Sequence, residues 1–236
     1  MSKVVLYSAR ACPFAHRTRL VLAEKRVAFE LLEVDLQNKP QRFLDVSAYG
    51  KVPAISHGEN HLWESAVVNE YLDEVFKDPP LQPESAVDRA RARIWVDYAN
   101  TRFVGPFGAL LRGEAGPQEF EAVLAYIERE GLAKSSQGGP FFFGARPGLV
   151  DFAFYPWFER LPALQHYREF ALPKTLTRLH AWQEAVRGLA SVKEQASPTE
   201  FYVERYARYG APDKSNGDAQ RAARNQAAGT AARSTP

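Results

Sequence analysis

Two hydrophobic patterns divide the chain. Up to about residue 76, short apolar runs rich in β-branched and aromatic residues alternate with helical periodicity, and beyond residue 85 the helical period persists almost alone. Residues 3–7 (KVVLY) predict a strand. Pro13 suits a first helical position, and Phe14, Thr18, Val21 and Leu22 then recur at helical spacing to about residue 26. Residues 27–34 (VAFELLEV) predict a second strand, which makes the opening a βαβ unit. A short helix over 39–46 comes next, then a strand over 50–55 containing Pro53, a turn at 57–60 and a brief strand at 61–63. A helix over 64–76 closes this part, with Val67, Val68, Tyr71, Leu72 and Val75 on one face. The predicted order is βαβαββα.

Residues 78–83 (DPPLQP) break any regular element, so 1–77 are read as one domain and 78–84 as a linker. Residues 85–210 predict an all-helical second domain, with helices over 85–112, 117–132, 149–161, 173–188 and 198–209. The fold class expected is therefore α/β followed by all-α. Residues 211–236 contain eight Ala and no Val, Ile, Leu, Phe or Trp, too little apolar surface to offset ordering entropy, and are expected to be a disordered tail.

Composition then narrows the partners. Of 236 residues, 30 are Lys or Arg and 28 Asp or Glu, a net charge of +2, and residues 211–236 carry that excess. The remainder is formally neutral, which argues against a nucleic-acid partner. The longest apolar stretch, 149–158, is interrupted by Asp151 and Pro156 and falls short of the ~20 residues that a bilayer span needs, so no membrane association is expected. The N-terminus runs directly into the first strand without an apolar signal region. A single cysteine, Cys12, precludes an intrachain disulfide and fits a reducing, cytoplasmic compartment. His57 and His61 lie in turn and strand rather than on a helix, with no cysteine near, so no metal site is expected. No phosphate-binding glycine loop or serine-hydrolase elbow occurs.

Cys12 is the one candidate nucleophile. It stands where a strand hands over to a helix, immediately before Pro13, so its sulfur faces the unpaired N–H groups of the helix start. Helix N-termini and nearby cations lower a cysteine pKa from ~8.5 to roughly 3.5–7.5, and Arg10, His16 and Arg17 are local cations or potential cations. The competing reading is a small buried hydrophobe. Three residues on, where a dithiol oxidoreductase carries its second cysteine, stands Ala15. Any redox role must use an external thiol, and glutathione is the obvious cytosolic one.

Cys12-Pro13-Phe14-Ala15 ahead of Arg17-Thr18-Arg19-Leu20 resembles the omega class of glutathione transferases. Asn38-Lys39-Pro40, Lys51-Val52-Pro53, Glu64-Ser65-Ala66, residues 70–74 (EYLDE) and Asp151 through residues 156–161 (PWFERL) extend the resemblance over about residues 3–209. It implies a thioredoxin-like N-terminal domain, an all-helical C-terminal domain, glutathione as cosubstrate and a homodimer. By the same resemblance, Cys12 is catalytic. Pro53 is cis and presents the Val52 backbone to glutathione; Glu64 and Ser65 hold the γ-glutamyl end; Lys39 reaches the glycyl carboxylate; and Phe14 lies near the sulfur. The second substrate is expected between the domains, against Trp157, Arg160, Phe201, Tyr202 and Tyr206. Asp151, three residues after Gly148, reads as half of a capping box and thus as a folding residue.

The activity implied is glutathione-dependent thiol transfer, of the kind that reduces dehydroascorbate, small disulfides or glutathionyl-ketone adducts. Two other readings remain open. One is conjugating, lyase or ether-cleaving chemistry on glutathione's own thiolate; the other is a non-catalytic binding protein or a chloride-channel-like protein of the same fold.

Overall fold

A computed structural model describes residues 2–210; the tail expected at 211–236 lies outside the described residues. The first part builds a four-stranded sheet of order β2-β1-β3-β4. Its strands are β1 (Val4–Ser8), β2 (Phe29–Glu33), β3 (Ala54–His57) and β4 (Asn60–Trp63). β1 runs parallel to β2, across the helix α1 (Pro13–Glu24), and antiparallel to β3, which pairs with β4 through a tight turn at Gly58. Helix α2 (Gln41–Leu44) precedes β3 and α3 (Ser65–Val75) follows β4. This is the βαβαββα order read from the sequence.

The alternation of β1 explains both faces of the sheet. Val4 and Leu6 point to the main core with Leu20, Ile55, Val68 and Leu72, while Tyr7 points to a smaller cluster closed by Phe43 of α2. Helix α3 turns Val68 and Leu72 inward, but Val67, expected on the same face, is 55% exposed.

The second part is helical: α4 (Ala86–Tyr98), α5 (Val104–Arg112), α6 (Pro117–Tyr126), α7 (Ala133–Ser135), α8 (Leu149–Phe158), α9 (Leu161–Arg168), α10 (Thr177–Gly188), α11 (Ala190–Gln195) and α12 (Thr199–Gly210). The helix expected over 85–112 is interrupted by a π-helical turn at Ala99–Phe103, beside Pro106, which has no N–H for the carbonyl of Arg102. A second π turn, Ile127–Leu132, contains Gly131, where a Cβ would stand 2.9 Å from the ring of Phe142. The helix expected over 149–161 ends at Phe158, and a new one, α9, starts at Leu161 with Pro162 in its first turn. Neither α9 nor the short α11 was legible from periodicity.

All ten residues of α8 are buried, which makes it the axis of the helical half. Asp151 caps it: one carboxylate oxygen accepts from the Gly148 N–H at 2.8 Å, the other from the Phe142 N–H at 3.1 Å and Trp182 Nε1 at 2.7 Å. Glycine has no side chain to return the bond, so only half of a capping box forms.

Buried charge anchors the linker to the first half. Lys25 Nζ pairs with Asp73 at 2.6 Å and donates to the carbonyls of Phe76 and Pro79, while Asp73 accepts from the N–H groups of Leu81 and Gln82. Helix α1 is enclosed by the sheet, α3, α8 and α11, so its polar side chains at His16, Arg17, Thr18 and Arg19 are buried along with Leu20, Val21 and Leu22.

Candidate functional site

Cys12 occupies the N-cap position of α1 with extended backbone (φ −75°, ψ 120°), and Pro13 takes the first helical position. The cap position follows from local sequence: Pro13 needs no hydrogen-bond acceptor, and the Cys12 N–H closes a tight turn onto the Ala9 carbonyl at 2.8 Å. The sulfur is half-buried and lies 3.7 Å from the Val52 carbonyl oxygen, which brings together two residues 40 positions apart. The Val52–Pro53 peptide bond is cis.

Beside this contact is a cavity of about 120 Å³ walled by Phe14, Lys51, Val52, Pro53, Glu64 and Ser65. Five of the residues singled out from the sequence meet there. Glu64 has φ 69° and ψ 111°, a region that costs a residue with a Cβ about 1–3 kcal/mol and that recurs where a functional constraint holds it. This backbone places Ser65 at the start of α3, where unpaired N–H groups favour an anion. Lys51, which sequence reasoning passed over, is the lysine in the cavity wall. Lys39 lies at the surface, folded toward Gly50, at which a Cβ would stand 3.6 Å from its Nζ.

The residue whose importance was least visible in the sequence is Arg17. It is 1% exposed and makes no carboxylate ion pair among the described residues. Its Nε donates to the Ala153 carbonyl at 2.8 Å, and its Nη1 to Asn100 Oδ1 at 2.6 Å and Ser65 Oγ at 3.3 Å. Nη2 has no partner among the described residues. The guanidinium lies over the rings of Phe14 (4.9 Å) and Trp157 (4.6 Å). Burial pushes its pKa down to about 9, with an ionised Cys12 acting in the opposite direction. A buried cation bound to Ser65 and sensitive to charge on Cys12 makes this corner of the molecule receptive to anions. The signal that could have found it is Arg17 and Arg19 on a helix destined for burial.

The expected second-substrate residues divide. Trp157, Arg160 and Tyr202 are all buried. Trp157 packs edge-on against Phe14, with centroids 5.1 Å apart. Tyr202 donates its hydroxyl to Glu159 at 2.6 Å and lies under Arg160. They support the wall behind Cys12. Phe201 is half-buried beneath the Arg10 guanidinium (4.7 Å), and Tyr206 is half-buried with its hydroxyl oxygen bound by Arg160.

The two histidines considered for metal are engaged by protein groups. His57 binds the Tyr71 hydroxyl and the Ser2 carbonyl, and His61 binds Ser56. Among the described residues no cluster of three or more His, Cys, Asp or Glu could hold a metal ion, and no helix is long and apolar enough to cross a membrane.

Comparison with known proteins matches both halves of the chain to one family. Residues 11–75 match the family "Glutathione S-transferase, N-terminal domain" and residues 87–185 match "Glutathione S-transferase, C-terminal domain". A "Probable glutathione transferase" of Aplysia californica is 44% identical over 90 residues, covering 38% of this chain and 98% of that one. Glutathione S-transferase omega-1 of Mus musculus is 32% identical over 168 residues, 69% of each chain. Among solved structures, glutathione transferase Omega 3C from Trametes versicolor superposes with a TM-score of 0.76 at 30% identity, covering 93% of both chains.

Proposed function

The chain belongs to the glutathione S-transferase family, and we propose that within it the protein is a glutathione-dependent thiol transferase working through a mixed disulfide between Cys12 and glutathione. The observation that carries this reading is the half-buried Cys12 sulfur at the start of α1, 3.7 Å from the Val52 carbonyl and beside the cavity walled by Glu64 and Ser65. The likeness to omega-class enzymes supports it.

In this reading the tripeptide lies along Val52. Its γ-glutamyl carboxylate takes the Ser65 hydroxyl and the first N–H groups of α3, its amine takes Glu64, and Lys51 and Lys39 supply cations for the glycyl end. Phe14 covers the sulfur, and Arg17 holds Ser65 in place. The Cys12 thiolate attacks the glutathione sulfur of a substrate R–S–S–G. That S–S bond breaks, the Cys12–glutathione disulfide forms, and RS⁻ leaves and takes a proton from solvent. A second glutathione thiolate attacks the glutathione sulfur of the adduct, releasing oxidised glutathione and regenerating the Cys12 thiolate. With no second cysteine in the chain, the monothiol route is the one open to it.

The reading places the protein in the cytoplasm, where glutathione keeps thiols reduced. It also expects a homodimer, for which Val67 of α3 and Val87 and Ile94 of α4, each more than half exposed, supply apolar surface.

The test is intact mass after exposure to oxidised glutathione. One adduct, removed by excess reduced glutathione and absent in Cys12→Ser, is expected, together with loss of disulfide-reducing turnover in that variant. Full turnover by Cys12→Ser would refute the mechanism and favour conjugation on glutathione's own thiolate.

A further inference from the structure

Arg160 stands between α8 and α9 and is completely buried. Its guanidinium reaches out of the helical half into the turn that carries Cys12. Nη2 donates to the carbonyl of Ala11, the residue before the nucleophile, at 3.2 Å. Nη1 donates to the Pro156 carbonyl and lies 3.3 Å from His16 Nδ1, one helical turn after the nucleophile. Nε donates to the Tyr206 hydroxyl at 3.1 Å, and the ring of Tyr202 lies 4.4 Å from the guanidinium carbon.

Each of these acceptors is neutral. Because guanidinium can only donate, His16 Nδ1 must accept, so the imidazole proton sits on Nε2. That nitrogen faces Glu159 Oε2 at 3.8 Å, and neither atom has a hydrogen-bond partner among the described residues. Burial, with Arg160 and Arg19 adding to it, holds His16 in the neutral form this arrangement needs. The other oxygen of Glu159 is occupied by the Tyr202 hydroxyl and the Ser197 N–H. Arg160 thus bonds before Cys12, one turn after it, and to a tyrosine of α12, with no donor left for a direct role on substrate at Nε.

We propose that Arg160 is a positioning residue: by bridging Ala11, His16 and Tyr206 it fixes the Cys12 turn against α12, so that the helical half sets the geometry in which the sulfur meets its second substrate. This rests on the reading of Cys12 as nucleophile. A lysine would carry the same charge but not the planar fork that serves three differently placed acceptors.

The test uses the full chain with Arg160→Met, Arg160→Lys and Tyr206→Phe, assayed with the glutathione–cysteamine mixed disulfide and reduced glutathione. Arg160→Met is expected to lower kcat at least tenfold while KM for glutathione changes less than twofold, because none of the hydrogen-bond partners of Arg160 named above walls the cavity beside Val52. Arg160→Lys is expected to recover less than a tenth of the lost rate. Tyr206→Phe removes a partner without removing the buried cation, so it remains informative if Arg160→Met fails to fold. It should lower kcat at least threefold, and combined with Arg160→Met should cost less than the product of the two effects. Wild-type kcat in Tyr206→Phe, full rescue by lysine, or multiplicative effects in the double variant would each overturn the proposal. Failure of the wild type to form the Cys12 adduct refutes the nucleophile reading itself, which separates the two.

Discussion

Replacing Arg17 by Met separates its structural cost from its functional value. Burial lowers the Arg17 pKa from its ordinary value to about 9, which corresponds to roughly 5 kcal/mol of unfavourable burial, given about 1.4 kcal/mol per unit. Against this stand three hydrogen bonds, to Ala153, Asn100 and Ser65, worth about 1.5 kcal/mol or somewhat more each to a charged donor. The two sums nearly cancel, and a methionine thioether can fill the space between Phe14 and Trp157. Methionine leaves the acceptors without this donor, Asn100 Oδ1 above all, at about 1–3 kcal/mol each, so the variant should be less stable than wild type by about 2–4 kcal/mol. The pH dependence has a definite sign. Since the folded pKa is depressed, the burial cost is constant below about pH 8, where Arg17 is charged in both states, and the wild type gains on the variant only above about pH 9. Glutathione affinity should behave differently, because Ser65 loses the donor that orients it: a fall of at least about tenfold, near 1.4 kcal/mol, is expected. Urea unfolding and calorimetric titration with glutathione give the two numbers. A variant that folds and binds glutathione with unchanged affinity would refute the assignment of Arg17 to the anion site.

Asp151 is a folding residue, and burial pushes its pKa up to about 6. Its folded value lies above the unfolded ~3.9, so its contribution is fully present below about pH 4 and lost as pH rises through about 6. Urea unfolding of wild type and Asp151→Asn between pH 4 and 7.5 should show the wild type losing up to about 3 kcal/mol relative to the variant, and parallel curves would contradict this. Ile94 is 66% exposed on α4. The proposed homodimer predicts that wild type sediments as a dimer and Ile94→Asp as a monomer; a dimer that persists in the variant would move the interface elsewhere, and a monomeric wild type would refute the dimer.

The short apolar runs and the proline after Cys12 were enough to write βαβαββα and to place Cys12 at a helix start, because strand formation and helix initiation are set by a few adjacent residues. Glu64-Ser65 was likewise legible as a helix opening. Other features were decided only by the tertiary structure. Val67 reads as inward on the pattern of α3, yet the burial of its neighbours Val68 and Leu72 turns it to the surface. Trp157 and Arg160 lie in the motif of residues 156–161, which gives no hint that their side chains are enclosed. That Lys51 stands in the cavity wall, with Lys39 at the surface beside Gly50, was not legible in the sequence. In sequence Arg17 and His16 read as a cation and a potential cation close to Cys12. They become an anion-receptive cation and a neutral acceptor only because α1 is enclosed on every side by the sheet, α3, α8 and α11. Local sequence sets backbone preference over a turn or two, whereas the electrostatic character of a side chain depends on the water it loses, and that is fixed by chain segments more than a hundred residues away.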